Sequence, residues 1–136
     1  MSVLPSGIFP PLVTPFRDEE FDRDAYRANI ETLNDTRLAG YVVLGSNGES
    51  VYLSDEEAVE VIETAVSSRA EDKTIIVGTG RESTRATIES TQRAAAAGAD
   101  AALVVPPSYY KGAMTPTVLE AHYKAVADAA EIPVLL

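Results

Sequence analysis

Ser54-Asp55-Glu56-Glu57-Ala58-Val59-Glu60-Val61-Ile62-Glu63-Thr64-Ala65-Val66, followed shortly by Thr74-Ile75-Ile76-Val77-Gly78-Thr79-Gly80, is the stretch that decides the fold. Its first part has a helical period, because Ala58, Val61, Ile62, Ala65 and Val66 fall on one face. Ser54 and Glu57 form a capping box: the serine hydroxyl can take the amide three residues on, and Glu57 can reach back. Acidic residues in the first turn suit the helix dipole. The second part is a nearly continuous apolar run, the pattern of a strand covered on both faces. It gives way to glycine and polar residues.

The same alternation extends in both directions. Further apolar runs occupy residues 8–13, 41–44, 101–105 and 132–136. Thr115 as N-cap and Pro116 at the first helical position open another helix, with Leu119, Tyr123, Val126 and Ala130 along one face. A helix from Ser83 runs through the alanines at 94–97 and stops at Gly98, a residue suited to ending helices. A weaker helical stripe after Asp22 carries Tyr26, Ile30 and Leu33. The order β-α-β-α-β-α-β-α-β implies right-handed βαβ units and a parallel sheet. No linker interrupts residues 1–136, so a single domain is expected.

Two α/β architectures fit this order. An open dinucleotide-type sheet usually carries a glycine-rich turn after its first strand, and none follows residues 8–13. The strands instead recur at fairly even spacing, and polar, glycine-rich segments follow them at 45–50, 78–82 and 106–112. In a barrel those segments share the C-terminal mouth, where barrel enzymes keep their sites. A complete barrel takes about 250 residues. The 136 residues here therefore predict the N-terminal half of a (β/α)8 TIM barrel, about its first five strands.

Composition narrows function. With 46% hydrophobic and 24% charged residues the chain is of ordinary globular type rather than disordered. It has no cysteine, which excludes disulfides, thiolate catalysis and cysteine-ligated metals, and a single histidine, His122, which excludes a multi-histidine centre. No metal or cofactor is expected. A net charge of −10 gives no basic footprint for nucleic acid and no polybasic membrane patch. No signal peptide is visible at Met1-Ser2-Val3-Leu4-Pro5, and no apolar run is long enough to span a bilayer. A cytoplasmic protein is the expectation. Small anionic substrates stay open, because a nest of backbone N–H groups binds anions even in an acidic protein.

Each motif has two readings. Gly45-Ser46-Asn47-Gly48-Glu49-Ser50 can grip a carboxylate through hydroxyl, amide and N–H groups, or it is simply a turn-rich strand exit. In Pro106-Pro107-Ser108-Tyr109-Tyr110-Lys111-Gly112, a tyrosine hydroxyl can relay a proton, or the rings pack under a loop or at a subunit contact. In Thr79-Gly80-Arg81-Glu82-Ser83-Thr84, Ser83 or Thr84 reads as a helix cap. Thr14-Pro15-Phe16 supplies a hydroxyl near the mouth or a turn. His122, inside a helix, reads as structural or solvent-facing rather than as a base. Asp18-Glu19-Glu20 reads as a solvated loop rather than a metal site.

Taken together, Pro11-Leu12-Val13-Thr14-Pro15-Phe16, the Gly45–Ser50 segment, Gly78-Thr79-Gly80, Val105-Pro106-Pro107-Ser108-Tyr109-Tyr110, His122-Tyr123-Lys124-Ala125-Val126-Ala127 and Ile132-Pro133-Val134-Leu135-Leu136 resemble the dihydrodipicolinate synthase / N-acetylneuraminate lyase family. The resemblance spans the chain in order. It implies a barrel enzyme whose lysine forms a Schiff base with pyruvate or a related 2-oxo acid, the iminium then acting as electron sink. It assigns the substrate's carboxylate to Ser46, Asn47 and Gly48, with Thr14 beside them. It assigns proton relay to Tyr109, with Tyr110 as competitor and Ser46 in the catalytic group. The complete protein is expected to be a homo-oligomer, dimer or tetramer. Three departures stand out. Many synthases carry two threonines where this chain has Ser46-Asn47, a form closer to the 4-hydroxy-2-oxoglutarate aldolase branch. Two positions that supply histidines to a lysine-feedback site in some synthases are Asp55 and Ala58, so feedback by lysine is not expected. Finally, none of Lys73, Lys111 and Lys124 fits the catalytic lysine, which the resemblance places at the end of a sixth strand. The chain alone is expected to be inactive. A non-enzymatic half-barrel, active only in assembly or binding, is the alternative, and its exposed apolar edges would invite self-association.

Overall fold

Among the described residues, every α-helix starts where the sequence supplies a side-chain cap. Asp22 accepts the Ala25 amide at 3.0 Å and opens α1 (Arg23–Asn34). Ser54 and Glu57 close the capping box at 3.1 and 2.8 Å ahead of α2 (Asp55–Ser68). Ser83, not Thr84, caps α3 (Thr84–Ala96) through the Ala86 amide at 3.1 Å, and Thr115 caps α4 (Pro116–Ala129) through that of Val118 at 3.4 Å. Such caps contribute about 1 kcal/mol each. Past the end of α3 the chain turns at Gly98, whose φ of 95° suits glycine. The computed structural model describes residues 5–136. Residues 1–4, read above for a targeting signal, lie outside them. No helix among the described residues is long and apolar enough to cross a membrane.

A short antiparallel hairpin, β1 (Phe16–Arg17) and β2 (Glu20–Phe21), precedes α1. The main sheet is parallel and holds β3 (Gly40–Val43), β4 (Thr74–Gly78), β5 (Ala101–Leu103) and β6 (Val134–Leu135), in that order. Its register pairs Val43 with Val77, Val77 with Ala102 and Ala102 with Val134. The order never reverses, and successive helices pack side by side. Right-handed crossovers that always advance the same way put every helix on one face. A doubly wound sheet reverses at a switch point and covers both faces. The architecture is thus a half-barrel, as the even strand spacing predicts.

Alternate strand residues serve different faces. Tyr41, Val43, Ile75 and Val77 are fully buried in a core shared with Tyr26 and Ile30 of α1 and Val61, Ile62 and Ala65 of α2. Full burial of each Val or Ile stabilises by about 1.5–3 kcal/mol. Asn34 ties the bottom of this layer together: its side chain donates to Ser68 O and accepts from the Tyr41 hydroxyl and the Ala70 amide.

Two segments differ from expectation. Residues 8–13 run parallel to β3 but make only a bridge, Pro11 to Val42, with Val42 N donating to Pro10 O and Leu12 N to Val42 O. Pro10 and Pro11 have no N–H, so a continuous ladder cannot form there. The Asp18-Glu19 segment is exposed, as expected, but it is also the tip of the β1–β2 hairpin. Positive φ at both residues (51° and 69°) gives the turn the hand a two-residue hairpin prefers. Lys73, just ahead of β4, is buried and donates to Thr36 O at 3.0 Å and to Asp72 at 3.0 Å. It lies at the end of the strand remote from the C-terminal loops.

Candidate functional site

The chain leaves β3 through a strained, tightly held turn. Leu44 and Glu49 bracket it in the left-handed region, with φ of 58° and 52°. Such geometry costs about 1–3 kcal/mol per non-glycine residue and persists only where its surroundings enforce it. Here they do. Leu44 is buried in the main core. Gly48 N donates to Gly45 O at 2.9 Å, and Glu49 N donates to Ser46 O at 3.2 Å. From below, the Thr14 hydroxyl donates to Gly48 O at 2.7 Å, with Thr14 only 4% exposed. Ser46 and Asn47 are exposed on the crest of the turn, at the C-terminal end of a parallel strand. The neighbouring strand exit is equally close: a Cβ on Gly78 would sit 2.3 Å from Leu44 O.

After β5 the loop is built differently. Pro106 and Pro107 offer no N–H, and the chain swings outward. Tyr109 and Tyr110 are 77% and 72% exposed, their rings edge to face with centroids 5.0 Å apart. One carboxylate holds this loop from outside it. Glu82, immediately before the α3 cap, accepts the amides of Ser108 at 3.0 Å and Tyr109 at 2.9 Å. Those two N–H groups, Tyr109's first, hold the Glu82 carboxyl below the usual glutamate range.

The structure thus brings Thr14, Ser46, Asn47 and Gly48 together and sets Tyr109 and Tyr110 on a separate loop at the same edge of the sheet. Neither of the two main grooves gathers them. One lies among Pro10, Leu12, Tyr26 and Leu38, and the other among Glu82, Thr84, Met114 and His122. His122 takes the structural role: it is 4% exposed and its Nδ1 lies 2.9 Å from the Thr84 hydroxyl, joining α3 to α4. Burial pushes its pKa down. Asp55 pairs with Arg93 at 2.9 Å and approaches Arg81 at 3.7 Å. Glu82 is the residue sequence reasoning missed. Its partners lie 26 and 27 positions away, and an acidic residue before a helix cap is too common to single out.

The model of the Dihydrodipicolinate synthetase family matches residues 4–136. A 4-hydroxy-tetrahydrodipicolinate synthase from Methanothrix thermoacetophila is 41% identical over 131 residues, covering 96% of this chain and 43% of that protein. A probable mitochondrial 4-hydroxy-2-oxoglutarate aldolase from Emericella nidulans is 43% identical over 136 residues, covering 96% and 44%. Among solved structures, a dihydrodipicolinate synthase from Acinetobacter baumannii complexed with pyruvate superposes with a TM-score of 0.90 at 37% identity, covering 96% of this chain and 44% of that one. The chain therefore spans less than half the length of these relatives.

Proposed function

Because this chain belongs to the dihydrodipicolinate synthetase family, we propose that it carries the substrate-recognition part of a lyase that forms a Schiff base with pyruvate or a related 2-oxo acid. The observation that carries this reading is the turn at Ser46-Asn47-Gly48, strained at both ends and fastened from beneath by Thr14. A preorganised turn of this kind presents hydroxyl, amide and N–H groups to a carboxylate without reorganising. Tyr109 is the proton relay, with Tyr110 as competitor, and Ser46 belongs to the catalytic group through its hold on the substrate carboxylate. The iminium forms on a lysine other than Lys73, Lys111 and Lys124. Lys73 is buried at the wrong strand end, and Lys124 sits on α4 paired with Glu120 at 2.6 Å. The complete protein is a cytoplasmic homo-oligomer in this reading.

Incubation of this chain with pyruvate and borohydride tests it: no covalent adduct is expected, and a stable adduct on Lys111 would overturn the assignment. In a complete barrel containing this chain, Ser46→Ala and Asn47→Ala should raise the KM for the 2-oxo acid more than they lower kcat.

A second reading within the family is 4-hydroxy-2-oxoglutarate aldolase. Ser46-Asn47 in place of paired threonines favours it, while identity is nearly equal, 43% to the Emericella nidulans aldolase and 41% to the Methanothrix thermoacetophila synthase. Release of pyruvate from 4-hydroxy-2-oxoglutarate, measured on the complete barrel, separates it from synthase activity. A half-barrel that acts only in assembly or binding is the non-enzymatic alternative. A stable, well-folded monomer in sedimentation would count against it.

A further inference from the structure

We infer that Glu82 is a positioning residue that sets the loop carrying Tyr109 and Tyr110, an inference whose catalytic consequence rests on the proposed relay role of Tyr109. The reason begins in the sequence. Val104, just past the strand, still donates to Leu135 O. Beyond Val105, Pro106 and Pro107 offer no amide donor, so the next N–H groups available to anchor the loop are those of Ser108 and Tyr109. Both donate to one oxygen of Glu82, at 3.0 and 2.9 Å, and the Ser108 hydroxyl lies 3.4 Å from the other oxygen.

The remaining bonds of the loop are local. Ala113 N donates to Tyr110 O, Met114 N to Lys111 O and Thr115 N to Ala113 O. Among the described residues, Glu82 makes the only hydrogen bonds from residues 106–114 to another element. The tyrosine rings touch each other but are otherwise exposed, so side-chain packing does not fix them. The carboxylate is itself well placed. It stands one residue before the Ser83 cap, on the short connection between β4 and α3, and both of those elements are packed into the sheet layer. The root of the loop is held by the buried Pro107, and a rigid neighbour transmits its position to the exposed part beyond it, where the two tyrosines sit. Charge-assisted bonds to backbone N–H are about twice as strong as neutral ones, which lets a single exposed side chain do this.

The test has two arms. In this chain, Glu82→Ala should speed amide hydrogen exchange at Ser108 and Tyr109 by about tenfold or more, while amides in α3 and β4 keep their protection. Glu82→Gln, which retains one acceptor oxygen, should fall between. In a complete barrel containing the chain, Glu82→Ala should lower kcat by about tenfold or more, within the roughly 10²-fold that a 1 Å misplacement costs. KM for pyruvate should stay within about twofold, because the Ser46-Asn47 turn is untouched, and Glu82→Gln should recover most of the loss. Unchanged exchange at Ser108 and Tyr109, or a KM effect as large as the kcat effect, overturns the inference. If the wild-type barrel forms no borohydride-trapped adduct with pyruvate, the lyase reading fails instead, and the exchange result alone decides whether Glu82 anchors the loop.

Discussion

The two loops that leave the sheet at β3 and β5 are opposites in construction. The first is short, strained and locked: left-handed residues at both ends, two internal backbone bonds, and a buried threonine hydroxyl fastened to its carbonyl from beneath. The second is long and open, with paired prolines at its root, two exposed tyrosines at its crest and one exposed carboxylate as its anchor. The difference separates two tasks. Gripping a carboxylate requires dipoles fixed in advance. A tyrosine loop whose exposed part is hydrogen-bonded to one carboxylate leaves both rings open to solvent.

The largest expected effect breaks the locked loop through its neighbour. In Gly78→Ala the new Cβ would stand 2.3 Å from Leu44 O and 2.9 Å from Leu44 C, both backbone atoms that cannot rotate away. Either the exit of β4 or the strained residue at the head of the turn must move. Destabilisation of about 3 kcal/mol is expected, visible as a lower urea midpoint at unchanged slope. Unaltered stability would mean that the turn is softer than its geometry implies.

Thr14→Val is gentler and more specific. It keeps the volume but removes the donor to Gly48 O, leaving a buried carbonyl without its partner. A cost of about 1–3 kcal/mol follows. If about 1 kcal/mol of that loosens the grip, the KM of a complete barrel for pyruvate rises about fivefold, with kcat less affected. A stability loss with no change in KM would detach Thr14 from recognition.

How much of this was legible beforehand divides along the same line. The parallel layer was legible because its signals are local: apolar runs near the observed β3 to β6, caps at Ser54, Thr115 and one of Ser83 and Thr84, a helical stripe after Asp22, and Gly98 past the end of α3. The turn at Ser46-Asn47-Gly48 was legible as a motif, but Thr14 could be placed only near the mouth. Nothing local says that its hydroxyl points at a carbonyl 34 residues on. Glu82 stayed hidden for the same reason. The hairpin at Phe16–Arg17 and Glu20–Phe21 was missed because its turn uses Asp18 and Glu19 where glycine or asparagine is the usual signal.

The open loop predicts small effects on folding. Tyr109→Phe and Tyr110→Phe keep the edge-to-face ring pair and remove only exposed hydroxyls, so stability should change by less than about 0.5 kcal/mol. Activity in a complete barrel should distinguish them. Loss of the relay hydroxyl costs about 10²–10⁴ in kcat, and the other variant should stay within about threefold. Equal, modest losses from both would remove the relay assignment from this loop.

The smallest effect, and the one that isolates the anchor, is acid release of the tyrosine loop. Backbone N–H groups of Tyr109 and Ser108 stabilise the charged form of Glu82, so its folded pKa lies below the ordinary 4.5. A depressed carboxylate contributes its stabilisation fully above the unfolded value and loses it as pH falls through the folded one. The loop should therefore stay anchored from neutral pH down past 4.5 and loosen only below it, with Ser108 and Tyr109 exchange, corrected for intrinsic rate, rising over that lower window. Asp22 is also held low, by the Ala25 amide and Arg17, so the α1 cap weakens only below the ordinary 3.8. Glu82→Gln separates the two, because it removes the acid step at Ser108 and Tyr109 and leaves the one at Ala25. The locked turn, fastened by a threonine that does not titrate, should show no such step. An acid step at Gly48 matching the one at Tyr109 would mean that the two loops are mechanically one.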